Sequence, residues 1–208
     1  MKAESLIFDI DGTLWDSRAI VARGYNLQLE AEGLGHLAVD AERLRPLFGK
    51  TMREIADDIL AAIPREDRYD LMERCMETEQ KVLESDPCRI GYPAVKQTLE
   101  ALSQRHRLFI VSNSQQGYPE LTMEKLGIGH LIEGHLCFGD TGTDKGTTIR
   151  TLMQRHGIES AVYIGDTQGD LEATRSAGLP FVWAAFGFGQ PDGWDAKVDS
   201  FAQLAQLF

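Results

Sequence analysis

The chain reads as α/β: a doubly wound parallel sheet with an inserted all-helical segment. Three observations predict this. From Pro93 onward, helical patterns alternate with short apolar strands, the order that builds a parallel sheet with helices on its faces. The strands are unbroken apolar runs, as in Leu6-Ile7-Phe8 and Leu108-Phe109-Ile110-Val111, so both faces of the sheet should be covered. Between Asp16 and Arg89 no strand signal appears and only helical patterns remain. The predicted division is 1–15 with 90–208 for the sheet part and 16–89 for the helical part.

Each element has a local reason. Asp16 to Glu32 reads as a helix. Thr51 and Glu54 form a capping box for a helix to Ile63, with Met52, Ile55, Ile59 and Ile63 as one stripe. Pro64 separates it from a third helix, Glu66 to Glu84, whose apolar face is Tyr69, Met72, Met76 and Leu83. Pro93 suits the first position of a helix carrying Val95, Leu99 and Leu102. The strand 108–111 ends at Ser112-Asn113-Ser114. Pro119 to Leu126 is a short helix closed by Gly127. Leu136-Cys137-Phe138 is a strand before a loop from Gly139 to Asp144, and Thr147 to His156 is the helix that follows. Ala161-Val162-Tyr163-Ile164 is a strand ending at Gly165-Asp166, followed by a helix from Leu171 to Ala177. Phe181-Val182-Trp183-Ala184 is another strand, with Phe186-Gly187-Phe188-Gly189 after it, and a last short helix starts near Ser200. The chain carries no internal repeat.

Composition narrows the function. At 208 residues and 43% hydrophobic content, one full core can be buried. No apolar run approaches the roughly 20 residues of a membrane span. The start of the chain lacks the pattern of a secretory signal, which predicts a cytoplasmic protein. With 32 acidic against 21 basic residues, net charge −11, the protein should bind neither nucleic acid nor an anionic membrane. Cys75, Cys88 and Cys137 form no C-x-x-C pair and read as free thiols of a reducing compartment.

The chemistry gathers where strands end. Asp9 and Asp11 follow the first strand two residues apart, a spacing that points both the same way in extended chain. Two carboxylates at the rim of a buried sheet repel, and a divalent cation relieves that. The alternative is a hairpin turn at Asp11-Gly12. Ser112 and Asn113 begin a polar turn able to hold a phosphate oxygen, or an ordinary turn. Lys145 sits at a helix start, against the dipole, with Asp144 or Thr143 as the N-cap. It suits an anion there, or else points into solvent. Asp166 and Asp170 repeat the opening theme, although Asp170 could merely cap the helix at Leu171. An oxygen-rich site of this kind suits Mg²⁺.

Asp-x-Asp-Gly-Thr-Leu at 9–14, Ser112-Asn113, Lys145 and Gly-Asp-x-x-x-Asp at 165–170 resemble the four ordered motifs of haloacid dehalogenase-like hydrolases. The likeness covers nearly the whole chain, including Phe-Gly-Phe-Gly at 186–189. It implies a Rossmann-like core, and the helical insertion resembles the cap of the subgroup that includes phosphoglycolate phosphatases. The resemblance implies Asp9 as nucleophile, Asp11 as general acid/base, and Ser112 and Lys145 on the transferring phosphoryl group. It implies Mg²⁺ held by Asp9, the backbone carbonyl of Asp11 and Asp166, with Asp170 in support. Thr13, Asn113 and Lys50 are expected to bind substrate, and Arg43, Arg45 and Arg53 are further cap cations. Gly146 stands where many phosphoglycolate phosphatases have proline, and Gly91-Tyr92-Pro93 lacks their usual Pro-Gly order. Asp11 argues against a true haloacid dehalogenase. A related phosphonoacetaldehyde hydrolase uses a cap lysine as a Schiff base, but Lys50 reads as a solvated or phosphate-steering lysine.

The expected activity is a Mg²⁺-dependent phosphatase of a small phosphorylated metabolite, acting as monomer or homodimer. Two alternatives stay open: a phosphomutase of the β-phosphoglucomutase type, which needs the same residues, and a non-catalytic phosphometabolite-binding protein.

Overall fold

The computed structural model describes residues 3–87 and 89–208. The chain enters through β1 (Ser5–Phe8), buried at all four positions. It then runs through α1 (Arg18–Ala31), α2 (Ala41–Leu44), α3 (Met52–Ile59) and α4 (Arg65–Ser85). It returns through α5 (Val95–Ser103), β2 (Arg107–Ser112), α6 (Tyr118–Leu126), β3 (Gly134–Cys137) and α7 (Phe138–Thr141). The remainder is α8 (Lys145–His156), β4 (Ala161–Gly165), α9 (Gln168–Ser176), β5 (Phe181–Ala184), β6 (Ala196–Val198) and α10 (Leu204–Leu207). The described residues cluster into two units, one of residues up to Asp16 with Ile90–Phe208 and one of Ser17–Arg89. Asp16 stays with the first because its backbone N–H donates to the Ile90 carbonyl at 2.9 Å.

The first unit is built on one six-stranded sheet in the order β3-β2-β1-β4-β5-β6, with parallel pairing throughout. Its apolar strands are unbroken because both faces are packed. Ile7, Phe109, Val111, Tyr163 and Phe181 join Ile149 and Leu152 of α8 and Leu171 of α9 in one cluster. On the other face Phe8 meets Phe201, ring centroids 5.9 Å apart. β1 lies between β2 and β4, with Phe8 level with Ile110 and Ile164. The chain winds outward on both sides of β1, which places a switch point, and hence a ligand crevice, at the carboxyl ends of these strands. Asp9, Asp166 and, from the last residue of β2, Ser112 all emerge there.

The second unit is helical. Tyr25, Leu29, Leu44, Leu47, Ile55, Leu60, Leu71, Met72 and Cys75 form its core. Gly24 lets α4 approach α1 closely, since a Cβ there would collide with the Glu79 backbone. Asn26 ties the loop to α1 by donating to the Val39 carbonyl at 2.7 Å and accepting its N–H at 2.8 Å. No described helix is long and apolar enough to cross a membrane. Cys75 and Cys137 are free and buried; Cys88 lies outside the described residues.

Several sequence expectations are corrected. Pro93 does not open a helix. Tyr92-Pro93-Ala94-Val95 is a turn closed by the Val95 N–H on the Tyr92 carbonyl at 3.3 Å, with Ala94 left-handed at φ 63°, as the third position of a type II turn requires. The capping box at Thr51 and Glu54 is present, but α3 ends at Ile59. The loop from Gly139 to Asp144 includes most of the short helix α7, and the strand before it ends at Cys137 rather than Phe138. Asp170 is not an N-cap: Thr167 caps α9, and Asp170 is its third residue.

Candidate active site

Lys145 is the centre of the site. Asp144 caps α8, its Oδ1 accepting the Thr147 N–H at 2.9 Å, so Lys145 becomes the first helical residue. Its side chain is buried rather than solvated, and Nζ donates to Asp170 Oδ1 at 2.6 Å and to Asp9 Oδ1 at 2.9 Å. Burial disfavours the ammonium, but the Asp170 and Asp9 carboxylates outweigh it and hold Lys145 well above the usual lysine range.

Asp170 is fixed before it meets Lys145. Its Oδ2 accepts the N–H groups of Asp166 and Thr167, at 3.1 and 3.0 Å, and the Thr167 hydroxyl at 2.8 Å. Burial would raise its proton affinity, yet Lys145 and these donors hold it below the usual carboxylate range. Asp9 has the opposite fate. Burial first, then the Asp170 charge, push it up to about 7 against the pull of Lys145. Asp166 is likewise raised well above its usual value by burial and by the charges of Asp170 and Asp9.

The glycine-aromatic loop explains how Asp166 is enclosed. The Phe188 N–H donates to its Oδ2 at 2.6 Å. A Cβ on Gly187 would overlap Asp166 and the Gly12 carbonyl, and one on Gly12, at φ 82°, would also strike Asp166. Two backbones therefore close over one carboxylate, which only glycine permits.

Asp9, Asp166 and Asp170 each offer an oxygen within 4.8 Å of the others. Three buried carboxylates face one lysine, and Asp166 Oδ1 is buried with no hydrogen-bond partner among the described residues. An excess of hard oxygen donors with an orphaned lone pair fits a Mg²⁺ ion.

The remaining residues named from sequence take different places. Asp11 is half-buried; its Oδ1 accepts from Trp15 Nε1 at 2.8 Å and from the Tyr118 hydroxyl at 2.9 Å. Ser112 Oγ is buried and accepts the Ser114 N–H at 3.2 Å, which leaves its own proton to donate. Thr13 is buried, its hydroxyl without a partner among the described residues, and Asn113 follows β2 half-buried. Lys50 is exposed in the turn before Thr51 in the second unit. There Arg43 pairs with Asp58, and Arg53 lies 5.4 Å from the Tyr69 ring centroid. Sequence reasoning missed Trp15, Tyr118, Thr167 and the Phe188 N–H. A tryptophan four residues past Asp11 in an apolar setting was the one available signal, since a buried indole needs an acceptor.

The chain matches the family model described as haloacid dehalogenase-like hydrolase over residues 6–184. It is 29% identical over 217 aligned residues to a phosphoglycolate phosphatase of Agrobacterium fabrum, covering 95% of this chain and 89% of that protein. A phosphoglycolate phosphatase of Aquifex aeolicus is 28% identical over 188 residues, covering 88% of this chain and 85% of its own length. Among solved structures, a haloacid dehalogenase-like family hydrolase from Streptococcus pneumoniae superposes with a TM-score of 0.83 at 21% identity, covering 99% of this chain and 98% of that one.

Proposed function

This chain belongs to the haloacid dehalogenase-like hydrolases and is a phosphatase, and from that premise we propose that it hydrolyses a small phosphate monoester, phosphoglycolate or a sugar phosphate, through an aspartyl phosphate on Asp9. One observation carries the reading: Asp9 is held at a strand end by buried Lys145, beside the Asp166 and Asp170 carboxylates. Phosphoryl transfer asks for in-line positioning and neutralised charge more than for covalent ingenuity, and that is what this cluster offers.

In the first step Asp9 attacks phosphorus while the P–O bond to the leaving group breaks, and Asp11 gives its proton to the departing oxygen. In the second, Asp11 takes a proton from water as water oxygen attacks phosphorus and the Asp9–phosphorus bond breaks. Lys145 keeps Asp9 oriented and shares its positive charge with the phosphoryl oxygens. The Ser112 hydroxyl donates to one of those oxygens, and Asn113 and Thr13 also bind the substrate. Asp9, the Asp11 backbone carbonyl and Asp166, with Asp170 in support, would hold Mg²⁺, which would supply Lewis-acid neutralisation of the phosphoryl charge. The second unit, residues 17–89, acts as a cap that admits substrate and excludes water, with Lys50 steering the anionic ester. The protein acts in the cytoplasm on a soluble metabolite.

The experiment is phosphate release from a panel of phosphorylated metabolites, with Mg²⁺ and with EDTA. Turnover of at least one small monoester that needs Mg²⁺, and that falls to background in Asp9→Asn, is the expected result. Full activity in Asp9→Asn would sink the mechanism. Transfer to a second sugar hydroxyl in place of water would make the protein a mutase.

A further inference from the structure

Two residues outside the four motifs meet on Asp11. Trp15 Nε1 and the Tyr118 hydroxyl both donate to the same carboxylate oxygen, Oδ1, at 2.8 and 2.9 Å. Both side chains are buried, and their rings brace each other edge to face with centroids 5.5 Å apart. Neither position is an accident of a flexible surface. Trp15 ends a tight turn in which the N–H groups of Thr13, Leu14 and Trp15 converge on the Ile10 carbonyl, while its own carbonyl accepts the Gly12 N–H at 2.9 Å. Tyr118 opens α6 directly after Gly117, at φ 86°. The loop before it is pressed against Gly139, where a Cβ would collide with the Gln116 backbone. Separate segments, one following β1 and one following β2, thus deliver one donor each to one oxygen.

Resting on the phosphatase reading above, we infer that Trp15 and Tyr118 are positioning residues for the proton-transfer step: they lock the Asp11 carboxylate in one orientation and commit Oδ2 to carrying the proton. A carboxylate oxygen accepting two strong donors has both lone pairs engaged. A proton on Oδ1 would displace one of these buried donors, whereas a proton on Oδ2 displaces neither. As the P–O bond breaks, the Oδ2 proton moves to the leaving oxygen and Asp11 becomes the anion that the two donors already stabilise. The reverse transfer, from water to Oδ2, regenerates the acid.

The test exploits leaving-group chemistry. A dinitrophenolate departs without protonation, whereas a phenolate or methoxyphenolate needs the acid. The whole chain and its Tyr118→Phe and Trp15→Phe variants are assayed with Mg²⁺ on 2,4-dinitrophenyl, 4-nitrophenyl, phenyl and 4-methoxyphenyl phosphate. kcat/KM reports the first step, and thermal unfolding checks the fold. Removal of one buried hydrogen bond should lower kcat/KM for the poor leaving groups by about tenfold and leave the dinitrophenyl ester within about twofold. Tyr118→Phe removes a single oxygen, so it keeps the test valid if Trp15→Phe unfolds. An equal fall across the series, or none, overturns the inference while the phosphatase reading stands. A wild-type protein that turns over neither this series nor any phosphorylated metabolite removes both together.

Discussion

Lys145 Nζ lies closer to Asp170 Oδ1, at 2.6 Å, than to Asp9 Oδ1, at 2.9 Å. Asp170 is therefore the anchor of the lysine, and Asp9 borrows a charge that Asp170 has already fixed in place. With Oδ2 occupied by Asp166 and Thr167 donors, an Asp170→Asn amide must turn its NH2 either toward Lys145 or toward those donors. Donor then faces donor in a buried site. The expected cost is about 2–3 kcal/mol, read from urea unfolding, with loss of turnover. Lys145→Met in the same background should restore part of that stability, giving a coupling of about 1–3 kcal/mol in a double-mutant cycle.

Asp9 and Asp166 make the metal-free protein sensitive to pH. Both hold protons more tightly folded than unfolded, Asp9 up to about 7 against 3.8 and Asp166 well above its usual value. Between these limits the native state binds more protons than the unfolded chain. Stability must then fall as pH rises from about 4 to 7. Asp170, shifted downward, contributes in the opposite sense, below its usual range. In EDTA the thermal midpoint should drop across that window. Mg²⁺ should recover it at pH 8 and do little at pH 5, where protons occupy the same oxygens. At a hundred times its Kd the metal is worth about 2.7 kcal/mol, roughly 5–10 °C for a chain of this size. A midpoint that rises with pH in EDTA contradicts this account.

Much of the site was legible because apolar runs stop at charge. Leu6-Ile7-Phe8 leads into Asp9 and Tyr163-Ile164 into Asp166, and a carboxylate in such a place must be enclosed. The rest carries weak signals for physical reasons. Phe188 acts through its backbone N–H, which any residue other than proline supplies. Tyr118 reaches Asp11 only because Gly117 takes a positive φ and Gly139 lets the loop pack. Thr167 and Asp170 cap α9 with aspartate where the capping box usually shows Glu or Gln, which made Asp170 look like the cap. β6 was missed because it has three residues, of which only Val198 is buried.

Gly187 offers a test of the loop that closes over Asp166. Its absent Cβ would overlap the Gly12 carbonyl, a backbone atom that cannot rotate away, and the side chain of Asp166, which is buried and held by the Phe188 N–H. Gly187→Ala should destabilise by about 1–3 kcal/mol and weaken Mg²⁺ binding, because the displaced segment carries the Phe188 N–H. Gly169→Ala is the control. It lies exposed near the start of α9, and its Cβ would come no nearer than 3.7 Å to Thr167 Oγ1, so calorimetry should show Mg²⁺ affinity unchanged.

Gly146 is held to glycine by its neighbours. It follows Lys145 in the first turn of α8, where proline would be tolerated for its backbone alone. Here α9 comes too close: a Cβ would overlap Ser176 Oγ and stand 3.0 Å from the Ala173 carbonyl and 3.2 Å from Asp144 Oδ1. The serine can rotate, the carbonyl cannot. Gly146→Ala should therefore cost about 1–2 kcal/mol despite the better helix propensity of alanine. Ser176→Ala should recover only part of it, since the contact with the Ala173 carbonyl persists. Because Gly146 adjoins Lys145, any tilt of α8 moves Nζ relative to Asp9, so kcat should fall in the single variant and rise again in the double. Urea midpoints and phosphate release on the four proteins of this cycle decide the matter. A Gly146→Ala protein as stable and as active as wild type would show that α8 and α9 are not held this tightly.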